Sequence, residues 1–262
     1  MPAEFTHVIV GLNVINKLNM LNNKTMKIAA LGSQGPDIFL FMPFEKNIHS
    51  YGKLLHDEKL IPKFIKTLGE ELRSSYPEFA ITFASHYVLD AILHPYINAR
   101  TKNYLEHGQF ERAIDRAYLE YLGIPFIGQK LSNIMPDSVP YQIEIAIKNS
   151  INMLESKEKY FAGYYRIAYK YMMLLHKLYD NMPAIVESVA NIMEIFNIDT
   201  LCQVIRTKPF KDPLNISRKG WISEGKIHHE DVIYLIRMAI DISTEVGRTY
   251  MDGSPLNIKS IN

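Results

Sequence analysis

Apolar residues recur at spacings of three and four along most of this chain. Between Phe5 and Leu21 they fall at Val8, Leu12, Ile15 and Leu18, which places them on one face of a helix. The same period predicts helices over about Leu60–Arg73, Phe79–His94, Phe110–Leu122, Tyr141–Leu154, Phe161–Leu178, Ala184–Ile195 and Val232–Val246. Pro95 disfavours helical geometry at the residue before it, so His94 is expected in the last turn of its helix. No stretch alternates between apolar and polar residues long enough to demand a β-sheet. The expected fold class is all-α, a multi-helix bundle.

Turn-forming residues gather at Gly32–Pro36, Gly123–Pro140 and Lys208–Gly225. The chain is read as one domain, residues 1–262. Within it, a histidine-rich half (1–122) is followed by a second helical half (141–262), with the 123–140 loop as the boundary between them. Six of the nine histidines precede residue 108. The segment Thr207–His229 is basic, with Lys208, Lys211, Arg218, Lys219 and Lys226. A solvated loop is its ordinary reading, and a lid carrying phosphate contacts beside the lone Trp221 is the functional one. His228-His229-Glu230-Asp231 reads more naturally as a helix start than as a metal site.

A hydrophobic fraction of 47% and a charged fraction of 22% describe an ordinary globular protein. The net charge of +1 gives no reason to expect nucleic acid as a partner. Cys202 is the only cysteine, which rules out an internal disulfide and suits a reducing compartment. Glu4 stands where a basic secretion leader should begin, and no window is apolar enough to span a membrane. A cytoplasmic location is expected.

Against this background one run stands out: His86-Tyr-Val-Leu-Asp90-Ala-Ile-Leu-His94. Four residues of helix advance about 6 Å and turn only roughly 40°, so the three side chains lie along one stripe. Burying a carboxylate and two imidazoles on an apolar helix is costly unless something compensates them. A divalent metal does so, because neutral imidazole and carboxylate are ligands that zinc accepts. His86 and Asp90 are one turn apart and can chelate one ion. His94 is too far along to join that ion, so more than one metal is implied, with Asp90 placed to bridge. His107 and Glu111 form a second one-turn pair that can complete an ion with His94. Upstream, His7, Asp37, His49 and His56 are further candidates, with Asp37 on the tight turn Gly32-Ser-Gln-Gly-Pro-Asp37.

Taken together, Thr6-His7-Val-Ile-Val10, Gly35-Pro-Asp37, Ser85-His86-Tyr-Val-Leu-Asp90 with His94, and His107-Gly-Gln-Phe-Glu111 resemble the zinc-dependent phospholipase C family. That resemblance implies an all-helical bundle holding two or three zinc ions. It gives Asp37, His56, His86 and Asp90 to one ion, His94, His107 and Glu111 to another, and His7 with bridging Asp90 to the third. His56 is preferred to His49 because Gly52-x-x-Leu55-His56 looks more like the intracellular members. Secreted members use an N-terminal Trp as a ligand, whereas this sequence begins Met-Pro, so the third ion is expected to be the loosest. The implied activity is hydrolysis of a phosphoester, phospholipid or a related diester, with Asp37 as general base. Two rivals remain. His56-Asp57 could belong to an HD-type phosphohydrolase, with His49 or His7 and Asp90 as its other ligands. Alternatively, the metal site could be structural or inactive in a non-enzymatic helical protein.

Overall fold

The computed structural model describes residues 4–42, 45–125, 130–154, 160–181 and 210–258. Helices dominate them: α1 (Glu4–Lys17), α2 (Asn23–Ser33), a 3-10 helix (Gly35–Phe41), α3 (Lys46–Leu55), α4 (Ile61–Leu72), α5 (Pro77–Arg100), α6 (Tyr104–Tyr121), α7 (Leu131–Ile134), α8 (Tyr141–Asn152), α9 (Tyr164–Asn181) and α10 (Val232–Met251). The helix expected over Ala184–Ile195 and the thiol of Cys202 lie outside the described residues.

The centre of the bundle is α5. Every residue from Glu78 to Leu89 is buried, so the first half of this helix is enclosed on all sides rather than amphipathic. It packs on α1, α2, α4 and α10. α8 packs on α4, and α9 covers the 3-10 helix, so helices of the second half close over those of the first. Side chains fix several helix starts. Asn22 and Thr25 form a reciprocal capping box on α2, Asn103 accepts the Glu106 amide at 2.9 Å on α6, and Asp231 accepts the Tyr234 amide at 2.8 Å on α10. Each such cap is worth about 1 kcal/mol. The His228–Asp231 cluster therefore serves a helix start.

Two expectations are corrected. The α5 helix does not end at His94 but runs through Pro95 to Arg100. Proline removes one donor, which frees the carbonyl of Ala91 four residues back. Ala91 and Pro95 both face an open cleft, where water can reach that carbonyl. Beyond the proline, buried Tyr96 and Ile97 hold the last turns in the core. A β-hairpin is also present: β1 (Trp221–Ser223) pairs antiparallel with β2 (Lys226–His228), in register Trp221↔His228, Ile222↔Ile227 and Ser223↔Lys226. Three-residue strands are too short to show an alternation. Their turn, Glu224-Gly225, has positive φ at both residues (51° and 74°), as a tight two-residue hairpin requires.

Candidate metal centre

Four elements bring candidate ligands to those in the middle of α5. Helix α1 brings His7, the 3-10 helix Asp37, the C-terminus of α3 His56, α5 itself His86, Asp90 and His94, and α6 His107 and Glu111. Gly35, at φ +56°, makes the sharp entry to the 3-10 helix, and a Cβ there would overlap the His86 ring. The glycine is thus required both by backbone conformation and by close approach to the site.

The eight side chains form three groups, each with ligand-type atoms within 4.8 Å of one another: His7, His86 and Asp90; Asp37, His56 and His86; and His94, His107 and Glu111. His86 belongs to two of them, so it joins the groups as Asp90 does. Its Nε2 lies 3.1 Å from Asp90 Oδ2 and 3.6 Å from Asp37 Oδ2. Asp90 Oδ1 is 3.2 Å from His7 Nε2 and 3.6 Å from His94 Nε2. Asp37 Oδ1 is 3.2 Å from His56 Nε2. Glu111 Oε1 stands between His94 Nε2 at 3.4 Å and His107 Nε2 at 3.2 Å.

For three of the rings, the bond made by the outward nitrogen explains why Nε2 points inward. His86 Nδ1 donates to the Ser33 carbonyl at 3.1 Å, and His56 Nδ1 donates to the Gly52 carbonyl at 2.6 Å. His107 Nδ1 is 3.1 Å from Asn98 Oδ1. A carbonyl can only accept, so the proton is on Nδ1 and Nε2 of a neutral ring offers a lone pair. That lone pair faces carboxylate oxygens, an arrangement that needs a proton or a cation between them. His86 Nε2 is buried and has hydrogen-bond geometry to neither carboxylate. A divalent ion fits this donor set of imidazole nitrogen and carboxylate oxygen.

The electrostatics agree. Burial works to raise Asp90, yet His86, His94 and His7 hold it well below the usual carboxylate range. Asp37 is likewise lowered against burial, by His86 and His56. Glu111 is lowered too, although burial opposes it, with hydrogen bonds from His107 and His94 among the causes. Burial pulls His56 and His94 down, but the carboxylates beside them raise both to about 9. His7 behaves oppositely: burial and the charge of His86, whose ring stacks on it at 4.2 Å, keep its pKa low.

The other candidates stand apart. His49 contacts the Leu40 backbone, and burial lowers its pKa. Asp57, which the HD reading requires, is exposed and accepts the Lys59 amide at 3.0 Å. Neither belongs to a group of potential ligands among the described residues. Asp90, His94 and His56 open onto a cleft of about 990 Å³ that is also lined by Ile222, Ser223 and Glu224 of the hairpin. No lysine or arginine is among the described residues lining it. Of the basic segment, Ile222, Ser223 and Glu224 face the cleft, and Lys208 lies outside the described residues.

Three features escape sequence reasoning. Asp115 of α6 accepts the Phe5 amide at 3.0 Å, the Thr6 amide at 2.7 Å and the Thr6 hydroxyl at 2.6 Å, thereby pinning the start of α1 beside His7. Its position four residues after Glu111, on the same helix stripe, was the only available signal. Buried Glu4 pairs with His176 of α9 at 3.3 Å. The hairpin wall had no signal beyond Glu224-Gly225.

Fold and site together define a protein of the all-α class with three adjoining histidine–carboxylate groups able to hold metal. Residues 6–171 match the zinc dependent phospholipase C family, and the chain belongs to it. All eight candidate ligands fall inside the matched span, and the hairpin falls outside it. Comparison with curated proteins and with solved structures finds no match.

Proposed function

We propose that this chain is a zinc-dependent phosphodiester hydrolase acting on phospholipid or a related diester. The observation that carries the reading is the convergence of three imidazole–carboxylate groups at the edge of one open cleft. Asp37, His56, His86 and Asp90 would hold one zinc, and His94, His107 and Glu111 a second. His7, with Asp90 and His86, would hold a third. Zinc at such positions supplies an acidified water and positive charge opposite the phosphoryl oxygens. Among the described residues, the cleft lining offers no lysine or arginine for that second task.

The chain's own residues then have distinct tasks. Asp37 is the proposed base, because the imidazoles around it keep it ionised and able to accept a proton at neutral pH. Asp90 fixes the spacing of the groups by facing three imidazoles at once. With a single cysteine the chain carries no internal disulfide, which suits a cytoplasmic setting. Among the described residues no helix is long and apolar enough to cross a membrane.

The test is to strip metal, titrate zinc back, count ions by elemental analysis, and follow p-nitrophenol release from a phosphorylcholine diester and from simpler diesters. Two or three ions and zinc-dependent turnover are expected, with Asp37→Asn losing both an ion and activity. Full metal occupancy without turnover of any phosphoester would replace this reading with a structural metal site.

A further inference from the structure

The hairpin lies outside the family match, yet it forms one wall of the cleft. It is anchored rather than draped. Trp221 is buried, packs edge-on against Tyr96 of α5 at 5.5 Å, stacks on His228 at 4.4 Å, and donates to the Glu230 carbonyl at 3.3 Å. Tyr96 in turn donates to the Pro213 carbonyl at 3.0 Å. The helix that carries His86, Asp90 and His94 therefore continues straight into the mount for the hairpin.

Because side chains alternate along a strand, anchoring Trp221 and His228 inward turns Ile222 and Ile227 to the opposite face. These two are cross-strand partners. They are 65% and 69% exposed, more than any other aliphatic side chain among the exposed large hydrophobics described. Ile222 lines the same cleft as Asp90 and His94, among apolar Ile61, Ala91, Pro95 and Ala99 and polar Glu58, Asn98, Ser223 and Glu224, and Ile227 adjoins that lining as the cross-strand partner of Ile222. Apolar side chains thus stand beside the ionic groups within one cleft, and the two-residue turn of the hairpin holds Ile222 among them. Pockets that bind amphiphiles combine the two: a few polar groups fix the head, and apolar walls take the remainder.

We propose that the Ile222–Ile227 face is a subsite for the alkyl portion of an amphiphilic phosphodiester whose phosphoryl group sits at the histidine–carboxylate groups. The proposal rests on the hydrolase reading for the position of the phosphoryl group. It assigns to this chain's own hairpin the choice between short, polar diesters and long-chain ones. A hydrocarbon chain laid on the isoleucines removes apolar surface from water on both partners, and the gain grows with each methylene covered.

The experiment uses the full chain reconstituted with zinc and titrated with methyl-, hexyl- and octylphosphonate below their micellar concentrations. Binding is read by calorimetry and by the emission of Trp221, the only tryptophan. Wild type should bind octylphosphonate about tenfold or more tighter than methylphosphonate. The double variant Ile222→Thr/Ile227→Thr keeps β-branched side chains in the strands and should lose that preference while still binding methylphosphonate. Ile216→Thr, exposed on the same segment but away from the cleft lining, should keep the preference. Chain-length preference in binding with no turnover of any diester would remove the hydrolase reading and leave the subsite. Turnover of diesters with no chain-length preference would do the reverse. The proposal is overturned if no phosphonate binds, or if the double variant keeps the preference. It is equally overturned if the variant's only defect is lost sedimentation with phosphatidylcholine vesicles or loss of a dimer, because the face would then serve a membrane surface or a second copy.

Discussion

Asp90 is the residue on which most of the centre depends. Its two oxygens face His7, His86 and His94, drawn from two helices, and among the described residues no other carboxylate faces three imidazoles. Asparagine at this position removes the charge and turns one acceptor into a donor, which then confronts buried imidazoles. Asp90→Asn should therefore lower bound zinc by more than one ion per chain or prevent folding, whereas exposed Asp57→Asn should leave stoichiometry unchanged. Elemental analysis of both proteins after zinc reconstitution decides this, and the opposite pattern would favour the His56-Asp57 pair. Gly35→Ala offers a second check without touching a ligand. Its left-handed backbone costs alanine about 1–2 kcal/mol, and the added methyl meets the His86 ring. A loss of at least that size in chemical denaturation is expected, together with weakened zinc retention.

At the scale of elements, the placement of α1 decides whether His7 reaches the site. Asp115 gathers two amides and a hydroxyl from the first turn of α1, and burial pushes its own pKa up to about 7 despite those bonds. Asp115→Ala strands these buried donors, so a loss of about 1–3 kcal/mol follows. The loosest zinc should be lost as well, while the ion at His94, His107 and Glu111 stays. A variant that unfolds no more easily and keeps all its zinc would contradict this positioning role. The same scale shows what sequence can and cannot convey. Long amphipathic helices such as α4 and α10 are legible because one face is apolar and the other solvated. In α2 the residues Ile28–Ser33 are all buried, so no polar face marks the period, and the helix rests on its capping box instead. The 3-10 helix is legible only as a turn, since Gly35 and Pro36 signal a bend but not the five buried residues that continue it. Ligand residues within one helix reveal themselves by spacing. The meeting of Asp37 with His56 depends on α3 packing against the 3-10 helix, and spacing along the chain does not encode that contact.

For the whole molecule, the centre links metal, protons and stability. In the metal-free protein, buried carboxylates are compensated by imidazoles that must be protonated to do so. His56 and His94 have folded-state pKa values of about 9, above the ordinary 6.5. A raised histidine pKa contributes stability that is complete below about 6.5 and is lost as pH rises through about 9. Zinc needs the neutral ring, so between these limits it competes with the very protons that hold the empty site together. Loading at pH 7 should release one proton from His56 and one from His94. The zinc affinity of the two groups that contain His56 and His94 should fall about tenfold for every unit of pH below 9. The same loading should raise the unfolding temperature, and chelation should reverse it, because ions that bind only the folded chain stabilise it by mass action. Calorimetric titrations in two buffers of different ionisation enthalpy measure the released protons directly. Equal heats in both buffers would mean that these imidazoles are already neutral in the metal-free chain. The pairings with Asp37, Asp90 and Glu111 would then not hold the site in solution, and the folded centre would have to depend on zinc from the outset.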